Sequence, residues 1–449
     1  AAENGSGVYV FSRTNRRWSQ DQELAGLGFD EGDIALDGTT LVIGDAENTP
    51  TGTADVYVEN GGIWSLQQAL VPNDAGSYPV QQFGYSTAID GNRIVIGSPF
   101  GPGTEAISGT AYVFVRTGTT WIEEDEFFPS EAVALDRFGE DVAIDGDTVL
   151  VGAPDRSDLG PNSGEGAAYA FVRSGSSWLL EQRLDRSFFQ SLSAYGTSVA
   201  LAGDVAVIGA PGADPFLSDP VVPVENAGLV HIFTRSGTTW TESQQFNVPN
   251  LSESDQGDQL GISVDFDGSS IIAGAYTDDI EALAAAGSAY VHAFDGVSWA
   301  LEESLFAEDP VVDDNFGVSV AISGDTALVG ASLDDTVEDD GGAAYVFVRD
   351  GEDWSQQAKL TDASGDIGDE FGWSVALDGD RAAIGAPFKN GAGGAFVFDR
   401  AGITWGAPAV FSAFDAADDD EFGYAVDVGG DTLVVGASSD DHAAGVDAG

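Results

Sequence analysis

A motif that recurs eight times along the chain constrains its fold more than any other feature of the sequence. The clearest copy spans residues 138–155 and reads FGEDVAIDGDTVLVGAPD: an aromatic–glycine pair, a tight Asp-Gly-Asp turn, and an apolar run that ends in Gly-Ala-Pro. This length of repeat is close to that of one four-stranded blade of a β-propeller. The turn glycine recurs every 51 to 65 residues, at Gly38, Gly91, Gly146, Gly203, Gly268, Gly324, Gly379 and Gly430.

A second unit follows each of the first seven copies, and the two units together account for four strands. Its clearest copy is GAAYAFVRSGSSW, residues 166–178, and every copy ends at a tryptophan. In the third repeat, short β-branched and aromatic runs between turn residues predict strands over 138–145, 148–153, 167–173 and 178–184. The first three runs are apolar on both faces, as in strands that a sheet covers on each side. The fourth is more polar, as in an exposed edge strand.

The chain begins and ends with complementary half-blades. Residues 7–24 form a second unit with no first unit before it, and residues 422–437 form a first unit with no second unit after it. We therefore predict an all-β fold, a closed ring of eight four-stranded antiparallel blades in which the N-terminal strands complete the last blade. A seven-bladed ring, or a window cut from a longer array, is the alternative. One domain, 1–449, is expected, with blades at about 30–70, 83–127, 138–184, 195–246, 260–305, 316–360, 371–411, and 422–437 plus 7–24.

The aromatic–glycine pair is interpreted as a core motif. Glycine lets backbones approach closely where the innermost strands converge on the central channel, and the aromatic ring before it can wedge between blades. The aspartates two positions before these pairs are expected to accept hydrogen bonds from turn amides. They are Asp136, Asp258, Asp314, Asp369 and Asp420.

Acidic residues outnumber basic residues by 75 to 16, which gives a formal net charge of −59. Nucleic acids and acidic membranes are therefore poor partners, because binding them requires a basic patch. Self-repulsion of this size needs screening by cations, so we expect a saline habitat, Ca²⁺ binding, or both. The scarcity of lysine, with only Lys359 and Lys389, favours the saline habitat. No apolar run approaches 18 residues, so no membrane insertion is expected, and there is no cysteine.

Charge is expected to divide between the two faces of the ring. Arginines at the ends of the third strands collect on one face, and aspartate-rich loops lie on the other, which should be strongly anionic. Such loops offer the carboxylate and carbonyl oxygens that Ca²⁺ prefers, although none has the spacing of a known calcium loop. Solvated acidic loops of a salt-adapted surface are the alternative. The candidate metal ligands are Asp278, Asp279, Asp334, Asp335, Asp339, Asp340, Asp418, Asp420, Asp440 and Asp441.

The repeats resemble the FG-GAP family in their Phe-Gly pair, xDG hairpin and Gly-Ala-Pro. This family includes the propeller of integrin α subunits, and the closer resemblance is to secreted prokaryotic members with a YVF-R-x-G-x-x-W unit. The resemblance implies an extracellular or cell-surface, non-catalytic propeller used for adhesion or assembly. Integrin-type propellers carry a DxDxDG calcium loop between the first two strands. Here that connection is a bare hairpin such as Asp90-Gly91-Asn92, so the family's calcium sites do not carry over.

Catalysis has little support in the sequence, which contains no nucleophile elbow, zinc motif or phosphate loop. His231 and His292 stand where other repeats have aromatic residues, so both are interpreted as packing substitutions. The expected function is an adhesive or structural module that binds a protein or glycan at the acidic loop face, or that assembles with itself. A carbohydrate-binding or polysaccharide-cleaving propeller and a filament or surface-layer subunit are the alternatives. Exposed aromatic residues after the second strands would favour sugar stacking: Phe100, Phe216, Tyr276 and Phe388.

Overall fold

The computed structural model describes most of the chain as strands joined by short turns. Thirty-three strands are present in the described part, together with one turn of 3-10 helix at Lys389–Gly391. The described residues are 7–14, 17–24, 33–46, 51–73, 82–101, 107–131, 133–157, 164–186, 192–216, 223–249, 251–252, 256–280, 283–351, 353–413 and 420–438. Within these ranges, no helix is long and apolar enough to cross a membrane.

The strands form eight separate antiparallel sheets, which are the blades of the ring. Blade 1 is β3 (Ile34–Asp37), β4 (Thr40–Asp45), β5 (Thr53–Glu59) and β6 (Trp64–Leu70). Blade 2 is β7 (Thr87–Asp90), β8 (Arg93–Ser98), β9 (Thr110–Thr117) and β10 (Thr120–Phe127). Blade 3 is β11 (Val142–Asp145), β12 (Thr148–Ala153), β13 (Ala167–Ser174) and β14 (Ser177–Arg183). Blade 4 is β15 (Val199–Ala202), β16 (Val205–Ala210), β17 (Leu229–Ser236) and β18 (Thr239–Phe246).

The second half of the ring repeats this plan. Blade 5 is β19 (Val264–Phe266), β20 (Ser270–Ala275), β21 (Ser288–Phe294) and β22 (Trp299–Leu305). Blade 6 is β23 (Phe316–Ser323), β24 (Thr326–Ala331), β25 (Ala343–Asp350) and β26 (Asp353–Leu360). Blade 7 is β27 (Val375–Asp378), β28 (Arg381–Ala386), β29 (Gly394–Ala401), and an outer strand in two pieces, β30 (Thr404–Trp405) and β31 (Ala409–Phe411). In each blade the strands are called A to D from the inside outward.

Blade 8 joins the two ends of the described chain. It consists of β32 (Phe422–Gly429), β33 (Thr432–Ala437), β1 (Gly7–Thr14) and β2 (Arg17–Leu24). Strand β1 pairs with β33 in antiparallel register, from Gly7 opposite Ala437 to Ser12 opposite Thr432. The prediction of eight blades closed by the N-terminal strands is therefore confirmed, and the seven-bladed alternative is wrong.

Hydrophobic packing is divided among the interfaces between consecutive blades. Each of the eight buried clusters combines residues of two neighbouring blades, as in the cluster that joins Val95 and Val113 of blade 2 to Phe138 and Tyr169 of blade 3. Because every blade is covered on both sides, the inner strands are apolar on both faces, as the sequence predicted. Closing the ring therefore buries the two blade faces that an open array would expose.

Strand A of blade 3 is shorter than predicted, because the aromatic–glycine pair interacts with two blades at once. Phe138 was expected inside the strand, but it forms a parallel bridge with Gly109 of the preceding blade, and β11 begins only at Val142. A Cβ atom at Gly139 would lie 2.5 Å from the Thr110 carbonyl oxygen, also in the preceding blade. Glycine is thus required by contact between neighbouring blades, rather than by crowding around the channel as the sequence suggested.

Of the described outer strands, seven carry a β-bulge, and in five of them a bulge side chain accepts the indole N–H of the tryptophan in the next blade. In strand β10 the register shifts between Glu123 and Asp125. The intervening Glu124 accepts hydrogen bonds from Trp178 Nε1 (3.0 Å) and Arg173 (2.9 Å) of blade 3. Asp125 accepts the Trp178 backbone N–H at 2.9 Å. The bulge turns two consecutive side chains toward the neighbour, so the repeated arginine and tryptophan form an inter-blade clamp.

Candidate functional site at the mouth of the central channel

The loops of the ring lie on two opposite faces. The A–B and C–D turns form one face, here called the hairpin face, and the B–C and D–A connections form the other, called the loop face. The arginines that end the C strands lie on the hairpin face, as predicted, but they are engaged in the clamps. Arg235, for example, lies 5.1 Å from the ring centre of Trp240 and 2.7 Å from Asp204.

A cavity of about 590 Å³ opens on the loop face at the mouth of the central channel. Its volume falls within the usual range of small-molecule sites. Four of its lining residues directly follow an aromatic–glycine pair or its equivalent, so the pair aims the next side chain at the channel. The lining residues are Asp33, Gln82, Tyr85, Ser86, Phe100, Arg137, Glu140, Asp141, Thr197 and Tyr424.

The residue after the aromatic–glycine pair differs from blade to blade. It is Tyr85 in blade 2, Glu140 in blade 3, Trp373 in blade 7 and Tyr424 in blade 8, whereas the pair itself barely changes. Sequence reasoning missed these residues because it concentrated on what the repeats share. A variable position inside an otherwise uniform motif was the signal that could have found them.

Polar groups of the mouth are organised around Glu140. Its Oε1 pairs with the Arg137 guanidinium and accepts a hydrogen bond from the Tyr85 hydroxyl at 3.3 Å. Burial raises the pKa of Glu140 to about 7, although Arg137 and Tyr85 act in the opposite direction. Arg137 is about one-third exposed and also lies 3.8 Å from Asp155. The mouth therefore presents a hydrogen-bonding cation beside a carboxyl group that titrates near neutrality.

Four aspartates line the inner strands, and each accepts a backbone N–H from the following blade. Asp141 accepts from Val199 at 2.6 Å and Asp33 from Thr87 at 2.8 Å. Asp265 accepts from Ile322 at 2.8 Å and Asp427 from Leu36 at 3.1 Å. Burial raises the pKa of Asp33 and Asp427 to about 6 and that of Asp141 to about 7. These carboxyl groups therefore both connect neighbouring blades and make the channel acidic.

An aromatic row leads from the channel mouth to the edge of the loop face. The ring centres of Tyr424 and Trp373 are 5.8 Å apart, and those of Trp373 and Phe388 are 6.3 Å apart. Phe388 is 37% exposed. Of the other aromatic residues singled out from the sequence, Phe100 and Tyr276 are half-buried. Apolar rings with polar groups nearby are typical of sites that bind small polar ligands.

Two candidate metal ligands are buried and engaged with other side chains. Asp334 accepts hydrogen bonds from the Tyr345 hydroxyl (2.6 Å) and from Lys359 (2.8 Å). Asp278 accepts one from the Tyr290 hydroxyl at 2.8 Å. Both carboxylates thus anchor the tyrosine of their own C strand.

The other candidates are divided between the surface, the interior and parts of the chain outside the description. Asp279 and Asp335 accept backbone N–H groups within their own loops, from Ala285 and Asp340 respectively. Asp339 and Asp340 are exposed and Asp420 is buried, whereas Asp418, Asp440 and Asp441 lie outside the described residues. Within the described ranges, no three His, Asp or Glu side chains are grouped so as to hold a metal ion. Calcium binding in these loops stays a prediction.

Three of the five aspartates that precede the aromatic–glycine pairs accept turn amides, as predicted. Asp136, Asp314 and Asp369 each accept the N–H of the residue three positions earlier, at 2.6 to 2.8 Å. Asp369 also lies 3.5 Å from Lys389, which pairs with Asp362 as well. Both lysines of this acidic chain are therefore held between carboxylates.

The ring and its channel mouth define a β-propeller of the kind that serves as an interaction module. Family comparison matches more than half of the chain to the FG-GAP repeat, over residues 64–114, 121–171, 250–292, 299–347, 354–398 and 405–449. The chain belongs to the FG-GAP repeat family. Four of the matched segments begin at a strand D tryptophan and end in the C strand of the next blade, so the family repeat crosses from one blade into the next.

Comparisons with individual proteins add evidence on the fold only. No curated protein matches the chain. Among solved structures, the crystal structure of Saccharomyces cerevisiae Sqt1 is similar, with a TM-score of 0.53 and 11% sequence identity. The similarity covers 90% of this chain and 94% of that chain. At this identity it shows a shared propeller architecture.

Proposed function

We propose that this protein is a non-catalytic recognition module of the cell surface or extracellular space, and that it binds its ligand at the channel mouth. The observation that carries this proposal is the concentration of variable side chains there. Tyr85, Glu140 and Tyr424 occupy one repeat position and line the mouth, while the surrounding motif is constant. Trp373 occupies the same repeat position in blade 7 and packs against Tyr424. A uniform scaffold that varies at one exposed position is suited to binding, because the scaffold places the side chains rigidly.

The chemistry of the mouth favours a glycan or a polar segment of a protein as ligand. The aromatic row offers flat apolar surfaces, and Arg137 and Glu140 offer a donor and an acceptor. Strong acidity elsewhere on the chain would repel anionic partners. An extracellular or surface location follows from what is typical of FG-GAP repeats, and adhesion is the role that a rigid module with an open binding face would serve. We propose further that molar salt or Ca²⁺ stabilises the acidic loops.

Binding of the labelled protein to an immobilised glycan panel and to cell envelopes from a saline environment tests the proposal. Trp373→Ala should weaken binding by about tenfold or more, because buried aromatic anchors contribute most of the energy of such contacts. Phe294→Ala is the matched control, since Phe294 is 51% exposed but lies on the hairpin face. Equal loss in both variants, or loss in neither, would contradict binding at the mouth.

Self-assembly is a second candidate, because several outer strands carry exposed apolar side chains. In blade 3, Leu179 and Leu180 are 55% and 43% exposed, and in blade 2 Ile122 is 51% exposed. Apolar residues on an exposed edge strand favour contacts between copies. Sedimentation in molar salt should show assemblies that Leu179→Glu disperses. A monomer at all concentrations would exclude this candidate.

A further inference from the structure

Blade 4 contains a second cavity that is separate from the channel mouth. Its volume is about 300 Å³, at the lower end of the range for small-molecule sites. It lies on the loop face, between the B–C connection and the outer ends of strands β17 and β18. The residues relevant to binding are Arg186, Asp214, Phe216, His231 and Gln245.

The cavity coincides with a substitution in the repeat. His231 occupies the position at which five other blades have tyrosine, namely Tyr9, Tyr112, Tyr169, Tyr290 and Tyr345. In blades 5 and 6 the tyrosine hydroxyl reaches an aspartate of the B–C connection. The shorter imidazole does not fill the same space. His231 was interpreted from the sequence as a packing substitution, but here it lines a cavity.

The hydrogen bonding of His231 fixes its tautomer and so decides whether Nε2 donates or accepts a hydrogen bond. The side chain is buried, and its Nδ1 lies 2.7 Å from Glu242 Oε1. Burial lowers the pKa of His231, so the ring is neutral at neutral pH. Because a carboxylate can only accept, Nδ1 carries the proton and Nε2 has a lone pair. Within the described part of the chain, Nε2 has no hydrogen-bond partner.

The other residues that line the cavity supply complementary functions. Arg186, a donor, is 5% exposed and lies 5.3 Å from the ring centre of Tyr195. Asp214 is oriented by the Asn226 N–H, which it accepts at 2.8 Å. Phe216 is 46% exposed and forms an antiparallel bridge with Pro223. A buried acceptor, a buried donor and a fixed aromatic face thus surround one small space.

We infer that the blade 4 cavity binds a single pyranose sugar, with a ring hydroxyl donating to His231 Nε2 and accepting from Arg186, and with a C–H face of the sugar stacked on Phe216. A hydroxyl group is the simplest partner that donates and accepts at once. A phosphate or carboxylate is disfavoured, since neutral His231 offers it a lone pair rather than a proton. The site is distinct from the channel mouth and does not depend on binding there.

Saturation-transfer NMR on the purified chain in molar NaCl tests this inference with D-glucose, D-galactose, D-mannose and N-acetylglucosamine, and with glycerol as a polyol that lacks a ring. At least one pyranose should bind with a Kd of about 1 mM or below, and glycerol should not. His231→Tyr restores the residue of the other blades and fills the cavity, so it should fold and weaken binding about tenfold or more. Phe294→Ala, on the hairpin face of blade 5 and 51% exposed, should leave binding unchanged.

Imidazole ¹⁵N NMR of the unmodified protein provides a readout that needs no variant. Addition of the bound pyranose should shift the Nε2 resonance of His231 and leave those of the other histidines unchanged. Binding that survives His231→Tyr, or the absence of binding by all four pyranoses, overturns the inference. A shift of Nε2 by Zn²⁺ or inorganic phosphate without one by any pyranose overturns it as well.

Discussion

Residues immediately before the aromatic–glycine pairs share an unusual backbone conformation. Seven of them, none a glycine, have φ between 50° and 58°. An L-residue there costs roughly 1–2 kcal/mol relative to the right-handed region. The conformation recurs because the aromatic residue that follows must bridge to the preceding blade while the next two residues return to their own blade. The set is Gln82, Arg137, Ala194, Gln259, Asn315, Glu370 and Glu421.

Glycine should relieve this strain where the side chain has no other role. Ala194→Gly is expected to raise the free energy of unfolding by up to about 1 kcal/mol, since glycine adopts positive φ without a Cβ clash. Ala200→Gly, in the interior of β15, is the matched control and should lower it by roughly 0.5–1 kcal/mol. Chemical denaturation measures both. A lower stability for Ala194→Gly would show that the methyl group packs more favourably than the strain costs.

The channel carboxyl groups predict how stability responds to pH. Burial raises the pKa of Asp141 from 3.8 to about 7 in the folded protein. The folded state therefore binds this proton more tightly than the unfolded chain, so the contribution of Asp141 is unfavourable above about pH 7 and fades as the pH falls toward 4. Asp141→Asn removes the charge and keeps an acceptor for Val199, but it loses the acceptor for the Val142 N–H. Relative to its effect at pH 5, it should therefore stabilise the protein at pH 8, on the order of 2 kcal/mol.

Denaturation at pH 8 and pH 5 provides the comparison for Asp141→Asn. The gain at pH 8 should shrink at pH 5, where the native carboxyl is already neutral. Asp353→Asn removes the same charge from an exposed position and should show neither the gain nor its loss. A constant difference between Asp141→Asn and the native chain at both pH values would contradict a raised pKa.

At the scale of the strand, the bulge in the outer strand links one blade to the next by hydrogen bonds. Glu302, the bulge residue of β22, accepts Trp354 Nε1 at 2.9 Å and pairs with Arg349 at 3.2 Å, both in the next blade. Gln67 and Gln357 accept the corresponding tryptophan in blades 2 and 7. All three clamps therefore have an acceptor oxygen, but only the one with Glu302 has a negative charge.

Substitution of Glu302 should separate the contribution of the hydrogen-bond acceptor from that of the negative charge. Glu302→Ala leaves a buried indole N–H and a guanidinium without this partner and is expected to destabilise the fold by about 1–3 kcal/mol. Glu302→Gln, which imitates the outer strands of blades 1 and 6, should recover most of that loss. Glu303→Ala changes the adjacent residue, whose carboxylate accepts the neighbouring Ser304 N–H at 3.2 Å, and should cost little. Equal effects at 302 and 303 would argue against a clamp.

At the scale of the whole molecule, charge opposes the compact ring. A net charge of −59 produces self-repulsion that molar salt suppresses, because the Debye length falls to about 3 Å at 1 M. Structural ion pairs use up much of the small basic complement: both lysines and several arginines lie between carboxylates. Stability should therefore depend strongly on ionic strength.

Thermal unfolding after chelation, then in molar NaCl, then with millimolar Ca²⁺ at constant ionic strength, measures this dependence. NaCl alone should raise the midpoint. A further rise with Ca²⁺ would support specific sites in the loops, since a ligand that binds only the folded state stabilises it by mass action. If Ca²⁺ adds nothing, the calcium assignments to the aspartate pairs, such as Asp278 with Asp279, are wrong.

The sequence by itself determined the repeat, the four strands of each blade and the closure of the ring. These features depend on local patterns and on interactions that every blade makes in the same way, so they recur in the sequence. The tertiary structure alone decided that the residues after four aromatic–glycine pairs line one channel mouth, and that Asp334 pairs with Lys359 from the outer strand of the same blade. It also decided that His231 lines a cavity. Such features depend on distances between residues far apart in the chain, which the period of a repeat does not contain.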